Sequence, residues 1–209
     1  MTRLLVLHGF TQNGAALRAH MEPLLARLPD SLELDFPDAP HACSPASVAR
    51  MHARIGDATP PGPYRCWRDA SDDGLQYRGF DETRALLTER ASRGPRVGML
   101  GFSQGAIAAS AFAALAAHGQ FPHLDFVILV AGRTPRAEQL APLFGEPLAL
   151  PSLHVCGTRD PMREPSARLA EAFDPGQRET ASWMGPHVVP TRGSAADAIA
   201  SFLARQAAR

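Results

Sequence analysis

Val97-Gly98-Met99-Leu100-Gly101-Phe102-Ser103-Gln104-Gly105-Ala106-Ile107 is the stretch whose reading decides the fold of this chain. An apolar run reaches a serine with a glycine two residues before it and another two after, and an alanine-rich run over 106–117 follows at once. The pattern is strand, sharp turn, helix: the G-x-S-x-G nucleophile elbow. A serine at the tip of so tight a turn takes strained backbone angles. Side chains at the flanking positions would collide there, which accounts for Gly101 and Gly105. The turn lifts the Ser103 hydroxyl clear of the sheet and aims the positive N-terminus of the next helix at whatever it attacks. A tight turn with a purely structural serine is the plain alternative.

The same alternation extends outward. Residues 4–7 form a continuous aliphatic run ended by His8-Gly9, which reads as a strand buried on both faces, as in a parallel sheet. Leu17, Met21, Leu24, Leu25 and Leu28 then make a helical stripe, with Pro23 predicting a kink or a broken first turn and Pro29-Asp30 the end. Further strands are expected over 32–36, 125–131, 152–156 and, as a polar edge strand, 177–183. Helices are expected over 81–93, opened by Asp81-Glu82, over 104–117, weakly over 135–144, over 166–173, and at the C-terminus, where Ser194 to Asp197 resembles a capping box. Residues 42–79 read as an irregular, proline-containing excursion. It is either a roof over the active-site end of the sheet or a surface loop with a tucked-in tryptophan.

Strands alternating with helices predict an α/β three-layer sandwich around a mostly parallel six-stranded sheet. Right-handed crossovers, with the elbow strand third, give the order 2-1-3-4-5-6. At 209 residues the expectation is a single domain over 1–209, with no separate cap domain. The net charge of zero points to neither nucleic acid nor an anionic membrane as partner. All 21 basic residues are arginine, which reads as compositional bias rather than phosphate recognition. Cys43, Cys66 and Cys156 are scattered and odd in number, giving neither a disulfide framework nor a metal pair. The first strand is too short for a signal peptide or a membrane span, so a cytoplasmic location is expected. No metal motif and no phosphate-binding glycine loop is present, and no cofactor is expected.

A serine hydroxyl needs a base to become a nucleophile, and imidazole, with a pKa of about 6.5, suits the task. A carboxylate then fixes the imidazole tautomer. Among the eight histidines, His187 follows the last strand, where the chain can fold back over Ser103. Asp160 follows the fifth strand directly after Gly157, with a helix N-cap as its alternative role. Chain order Ser, Asp, His is that of the α/β-hydrolases. The oxyanion requires two backbone N–H donors. Gln104, the residue after the nucleophile, supplies one, and Phe10, in the loop after the first strand, the other. His8 reads as a brace for that loop. Arg133, after the fourth strand, reads as an exposed loop arginine, with a substrate contact as the alternative.

Leu7-His8-Gly9-Phe10 with Gln12-Asn13-Gly14, Asp38-Ala39-Pro40-His41, Gly101-Phe102-Ser103-Gln104-Gly105, Cys156-Gly157-x-x-Asp160 and His187-x-Val189-Pro190 together resemble the FSH family of small serine hydrolases. That family includes the ovarian-cancer-associated hydrolases and is similar to the phospholipase/carboxylesterase and acyl-protein thioesterase group. The resemblance implies an α/β-hydrolase fold and a serine esterase or thioesterase (carboxylesterase/thioesterase) working through an acyl-enzyme on small-molecule esters or thioesters, as a monomer or homodimer. It implies Ser103 as nucleophile, Asp160 and His187 as its partners, and Phe10 and Gln104 as oxyanion donors. The family's tryptophan-bearing segment corresponds to residues 64–67, with Tyr64 and Trp67 expected to contact substrate. Where the family has Gly-Gly before the histidine, this chain has Gly185-Pro186, and proline stiffens the loop. A non-catalytic ligand-binding protein on a hydrolase fold is the alternative of a different class.

Overall fold

A computed structural model describes residues 1–55, 62–70, 75–121 and 124–209. In chain order the elements are β1 (Thr2–Leu7), α1 (Gly14–Leu25), β2 (Leu32–Asp35), β3 (His41–Ala42), α2 (Pro45–Ile55), β4 (Arg65–Cys66), β5 (Asp69–Ala70) and β6 (Tyr77–Arg78). They continue with α3 (Phe80–Ala91), β7 (Val97–Phe102), α4 (Gln104–Ala117), β8 (Leu124–Val130), β9 (Ser152–Gly157), α5 (Arg163–Glu171), β10 (Arg178–Trp183) and α6 (Gly193–Ala207).

Six strands make the main sheet in the order β10-β9-β8-β7-β1-β2, and every neighbouring pair is parallel. Renumbered along the chain, this is the expected 2-1-3-4-5-6. The aliphatic runs become strands because successive side chains point to opposite faces, and both faces are covered. On one face Leu5, Leu7, Met99, Val127 and Leu129 pack with α3, α4 and α5. On the other, Leu4, Val6, Leu100, Ile128 and Val155 pack with Leu17, Met21 and Leu24 of α1 and Ile199, Phe202 and Leu203 of α6. Helix α4 is buried nearly all round, which its alanines allow by letting the helix lie close to the sheet. Among the described residues no helix is long and apolar enough to cross a membrane.

Four expectations need correction. The excursion is not irregular throughout: α2 occupies residues 45–55, β3 pairs antiparallel with β4, and β5 pairs with β6. The signal for α2 was Ser44-Pro45. The Ser44 hydroxyl accepts the Ser47 amide at 3.2 Å, and proline at the first helical position has no amide to lose. Residues 56–61 and 71–74 of the excursion, Pro60 and Pro61 included, lie outside the described residues. Only a 3-10 turn, Ala141–Phe144, forms where a weak helix was expected over 135–144. Helix α1, with Pro23 inside it, ends at Leu25, short of the expected stop at Pro29-Asp30. The capping box at Ser194 does not form, because α6 starts at Gly193 with no side-chain cap. Asp197 pairs with Arg27 of the segment after α1 instead.

Candidate active site

The C-terminal ends of β1, β7, β8, β9 and β10 converge on one rim. Among the described residues three non-glycine residues take positive φ, and all three sit in the turns beyond adjacent strands: Thr11 (58°), Ser103 (54°) and Ala131 (53°). Such backbone costs about 1–3 kcal/mol per residue and persists only where the surroundings impose it. At Ser103 (ψ −113°) the imposition is visible. The Ser103 amide donates to the Val130 carbonyl at 2.9 Å, and the Ser103 carbonyl accepts the Ile107 amide, starting α4. A methyl group on Gly101 would lie 2.3 Å from the Gly105 carbonyl oxygen, and one on Gly105 would lie 2.2 Å from the Leu7 carbonyl oxygen. The elbow closes only with glycine at both positions.

The structure brings Ser103, His187 and Asp160 together. His187 Nδ1 lies 2.9 Å from each Asp160 carboxylate oxygen, and His187 Nε2 lies 2.9 Å from Ser103 Oγ. A carboxylate only accepts, so the imidazole proton sits on Nδ1, and Nε2 is left to accept the serine hydroxyl. The Asp160 side chain is fully buried, while that of His187 is 32% exposed. The ring can therefore be reached from solvent while its partner carboxylate is shielded. Asp160 Oδ1 also accepts the Met162 amide at 2.7 Å just before α5, so the carboxylate serves the helix start as well as the imidazole.

Two neighbouring loops carry these side chains, and hydrogen bonds clip the loops together. The Thr158 amide donates to the Trp183 carbonyl at 2.8 Å, and the Arg159 amide to the Gly185 carbonyl at 3.1 Å. The Val188 amide turns back to the Pro186 carbonyl at 3.0 Å, putting His187 at the apex of a three-residue turn. Pro186 fits this turn, and its missing amide is not called upon. The Phe102 ring packs against the imidazole with centroids 4.9 Å apart, and His20 of α1 donates to the Val189 carbonyl at 2.9 Å.

Beside the elbow, the loop after β1 is braced as its sequence suggested. His8 is fully buried; its Nε2 accepts the Ala39 amide at 3.0 Å, so Nδ1 carries the proton donated to the Gly9 carbonyl at 2.8 Å. Burial pushes its pKa down, as suits a ring held neutral. The Gly9 amide donates to the Gln12 side chain, and the Thr11 amide to the Arg65 carbonyl. Between them, the Phe10 amide has no partner among the described residues. Gln104 is the first residue of α4, where an amide has no intrahelical acceptor. Its side chain does work the sequence did not announce. Oε1 accepts the Trp67 amide at 2.8 Å, and Nε2 donates to the Arg68 carbonyl at 3.0 Å, which anchors the excursion to the elbow.

Trp67 is fully buried, and its indole N–H donates to the His8 carbonyl at 2.8 Å. The tryptophan is thus tucked in, its ring supporting the loop after β1 and not lining the cleft beside Phe10, while the excursion that carries it reaches the elbow through Gln104. Tyr64 is half-buried, with its hydroxyl 3.1 Å from His52 Nε2. Phe10 is 40% exposed and borders an open cleft of about 410 Å³, lined also by His41, Cys43, Cys66, Asp69 and Arg78. Among the described residues no three His, Cys, Asp or Glu side chains are grouped to hold a metal ion.

Comparison with known proteins agrees with this architecture. A family model described as serine hydrolase (FSH1) matches residues 1–199. Esterase OVCA2 of Bos taurus is 33% identical over 220 residues, covering 97% of this chain and 96% of the relative. The Homo sapiens esterase OVCA2 is 32% identical, covering 96% and 95%. The crystal structure of Zea mays acyl-protein thioesterase 2 superposes with a TM-score of 0.70 at 20% identity, covering 99% of this chain and 94% of that one. At that identity the likeness is one of fold, the α/β-hydrolase fold.

Proposed function

Since this chain belongs to the FSH1 serine hydrolase family, we propose that it cleaves carboxylic esters or thioesters through an acyl-enzyme formed on Ser103. The observation that carries the reading is the unbroken line Ser103 Oγ, His187 Nε2, His187 Nδ1, Asp160, with 2.9 Å at each junction.

Ser103 Oγ attacks the substrate carbonyl carbon as its proton passes to His187 Nε2. The carbonyl oxygen becomes an oxyanion, held by the amides of Phe10 and Gln104 at the positive end of α4. Asp160 keeps the Nδ1 proton in place and stabilises the imidazolium. When the tetrahedral adduct collapses, the bond to the alkoxide or thiolate breaks, and His187 returns the proton to that leaving group. Water then attacks the Ser103 ester with His187 as base, and the free acid departs with the serine hydroxyl restored. Support for the donors comes from the uncommitted Phe10 amide and from the place of Gln104 at the helix start. Phe10, whose amide is the proposed donor, also borders an open cleft of about 410 Å³.

A fluorophosphonate probe should label Ser103 and leave Ser103→Ala unlabelled. The same variant should lose about four to six orders of magnitude in kcat. Graded p-nitrophenyl esters and acyl-CoA thioesters would rank the two substrate classes. Turnover that survives in Ser103→Ala would overturn the reading.

A further inference from the structure

Residues 41–43 and 64–66 run antiparallel, with His41 opposite Cys66 and Ala42 opposite Arg65, and the Cys43 amide donates to the Tyr64 carbonyl at 2.9 Å. Successive side chains alternate between the faces of such a ladder. The opposed positions 41 and 66, and 43 and 64, therefore share one face, and Cys43 and Cys66 are diagonal neighbours on it. The Cys66 thiol donates a hydrogen bond to the Cys43 sulfur. Cys43 is half-buried and Cys66 buried, and both line the open cleft of about 410 Å³ that Phe10 borders. Two cysteines that look scattered along the chain are thus a pair.

Their surroundings differ in the sense that reversible thiol oxidation needs. The bond from Cys66 holds the Cys43 thiol below its usual range; burial and Asp69 oppose this, and the Thr11 amide and the Arg65 guanidinium support it. The same bond, with burial, pushes the Cys66 thiol up. Cys43 is the thiol that ionises and attacks, and Cys66 keeps its proton beside it until an electrophilic sulfur forms. A hydroperoxide entering the cleft is the oxidant. The Cys43 thiolate takes the outer peroxide oxygen, the O–O bond breaks, and the inner oxygen leaves with the thiol proton as an alcohol, or as water from hydrogen peroxide. Cys66 then attacks the sulfenic sulfur, the S–O bond breaks, and hydroxide leaves with the Cys66 proton as water. The thiols together lose two electrons and two protons, and the peroxide takes up both.

Closure cannot leave the ladder as it stands. Diagonal neighbours on a ladder lie about 7–8 Å apart, and a disulfide draws its Cα atoms to about 4.4–6.8 Å, so one strand must shift against the other by about 1 Å. Arg65 sits on the moving strand. Its amide donates to the Gln12 carbonyl at 2.8 Å and its carbonyl accepts the Thr11 amide at 3.1 Å, so the shift reaches the turn that presents the Phe10 amide.

We propose that Cys43 and Cys66 are a reversible dithiol–disulfide pair, oxidised by hydroperoxides, and that closing the bond disarms the turn after β1. The disarming rests on the hydrolase reading above; the pair itself does not.

Treated with hydrogen peroxide, the wild-type protein should lose two of its three titratable thiols. Digestion without reductant should then yield peptides joined through Cys43 and Cys66. Both kcat/KM for a p-nitrophenyl ester and the rate of fluorophosphonate labelling should fall at least about tenfold and return with dithiothreitol. Cys43→Ser and Cys66→Ser should keep their own rates through the same treatment, and Cys156→Ser should respond as the wild type does. Peptides joined through Cys156, or a sulfinic acid at Cys43 with no joined peptides, overturn the pair. Joined peptides with kcat/KM within about twofold of the reduced protein overturn the disarming. A reduced protein that neither hydrolyses esters nor takes up the fluorophosphonate overturns the hydrolase reading, and the joined peptides then decide the pair alone.

Discussion

Alanine at Gly157 would put a methyl group 2.2 Å from the Gly185 carbonyl oxygen and 3.0 Å from that of Pro186. Ordinary contact starts at 3.4 Å, so the segment carrying His187 must retreat by the difference, about 1.2 Å. Both sides of the collision are backbone, and no rotamer change absorbs it. The same Gly185 carbonyl accepts the Arg159 amide at 3.1 Å, so the retreat also strains the clip between the loops of Asp160 and His187. Displacing a reacting group by about 1 Å costs on the order of 100-fold in rate. Losing one hydrogen bond costs about 1 kcal/mol, or roughly 3 °C in Tm for a chain of this length. Gly157→Ala should therefore show kcat/KM for a p-nitrophenyl ester, and the rate of fluorophosphonate labelling, both down about 100-fold well below its melting temperature. Gly145→Ala, whose methyl group meets nothing closer than 3.4 Å, is the control and should match wild type. A folded Gly157→Ala protein within about threefold of wild type in kcat/KM would refute the claim that this contact sets the imidazole position.

Two further outcomes follow from buried titratable groups. His154, edge-on to Phe173 and near Arg178, has its pKa pushed down to about 4 from 6.5, chiefly by burial. Below pH 6.5 the unfolded chain takes up this proton and the folded one does not, so stability present above 6.5 falls by about 1.4 kcal/mol per pH unit down to about pH 4. Urea unfolding at stepped pH should show a shallower decline in His154→Leu, and an identical slope would exclude this histidine as the cause. A hydrogen bond from Cys66 holds the Cys43 thiol below the usual range, while that same bond raises Cys66, and burial raises Cys156. Iodoacetamide at pH 8 should modify Cys43 first, as read by peptide mass, and earlier labelling of either other cysteine would contradict the assignment.

The sheet was legible because parallel strands buried on both faces leave unbroken aliphatic runs, as at residues 4–7 and 97–100. The Ser103 elbow was legible because its glycines answer a local steric need, and the positions of Asp160 and His187 followed from strand ends and chain order. Helix α2 was hidden because the prolines around it pointed to loop, although Ser44-Pro45 marked its start. The expected cap at Ser194 failed because four residues fit a pattern that the neighbouring Gly193 had already pre-empted. What no local pattern carried were contacts across long sequence gaps: the Gln104 carboxamide on residues 67 and 68, the Trp67 indole on His8, and the Arg68 guanidinium over the Tyr77 ring. Each is a property of two distant segments meeting, and neither segment states it alone.

Gln104 ties the backbone of the excursion to the residue beside the nucleophile, and Arg65 pairs with the loop that holds the Phe10 amide. The strands of the excursion are only two residues long, whereas β9 and β10 register over six pairs. Those short ladders are backed by the fully buried Trp67 ring and by the bonds of Gln104, so residues 65–68 and the turn after β1 hold their places together. A change that loosens Trp67 would therefore slacken the turn beside the nucleophile while leaving the six-stranded sheet its own pairing.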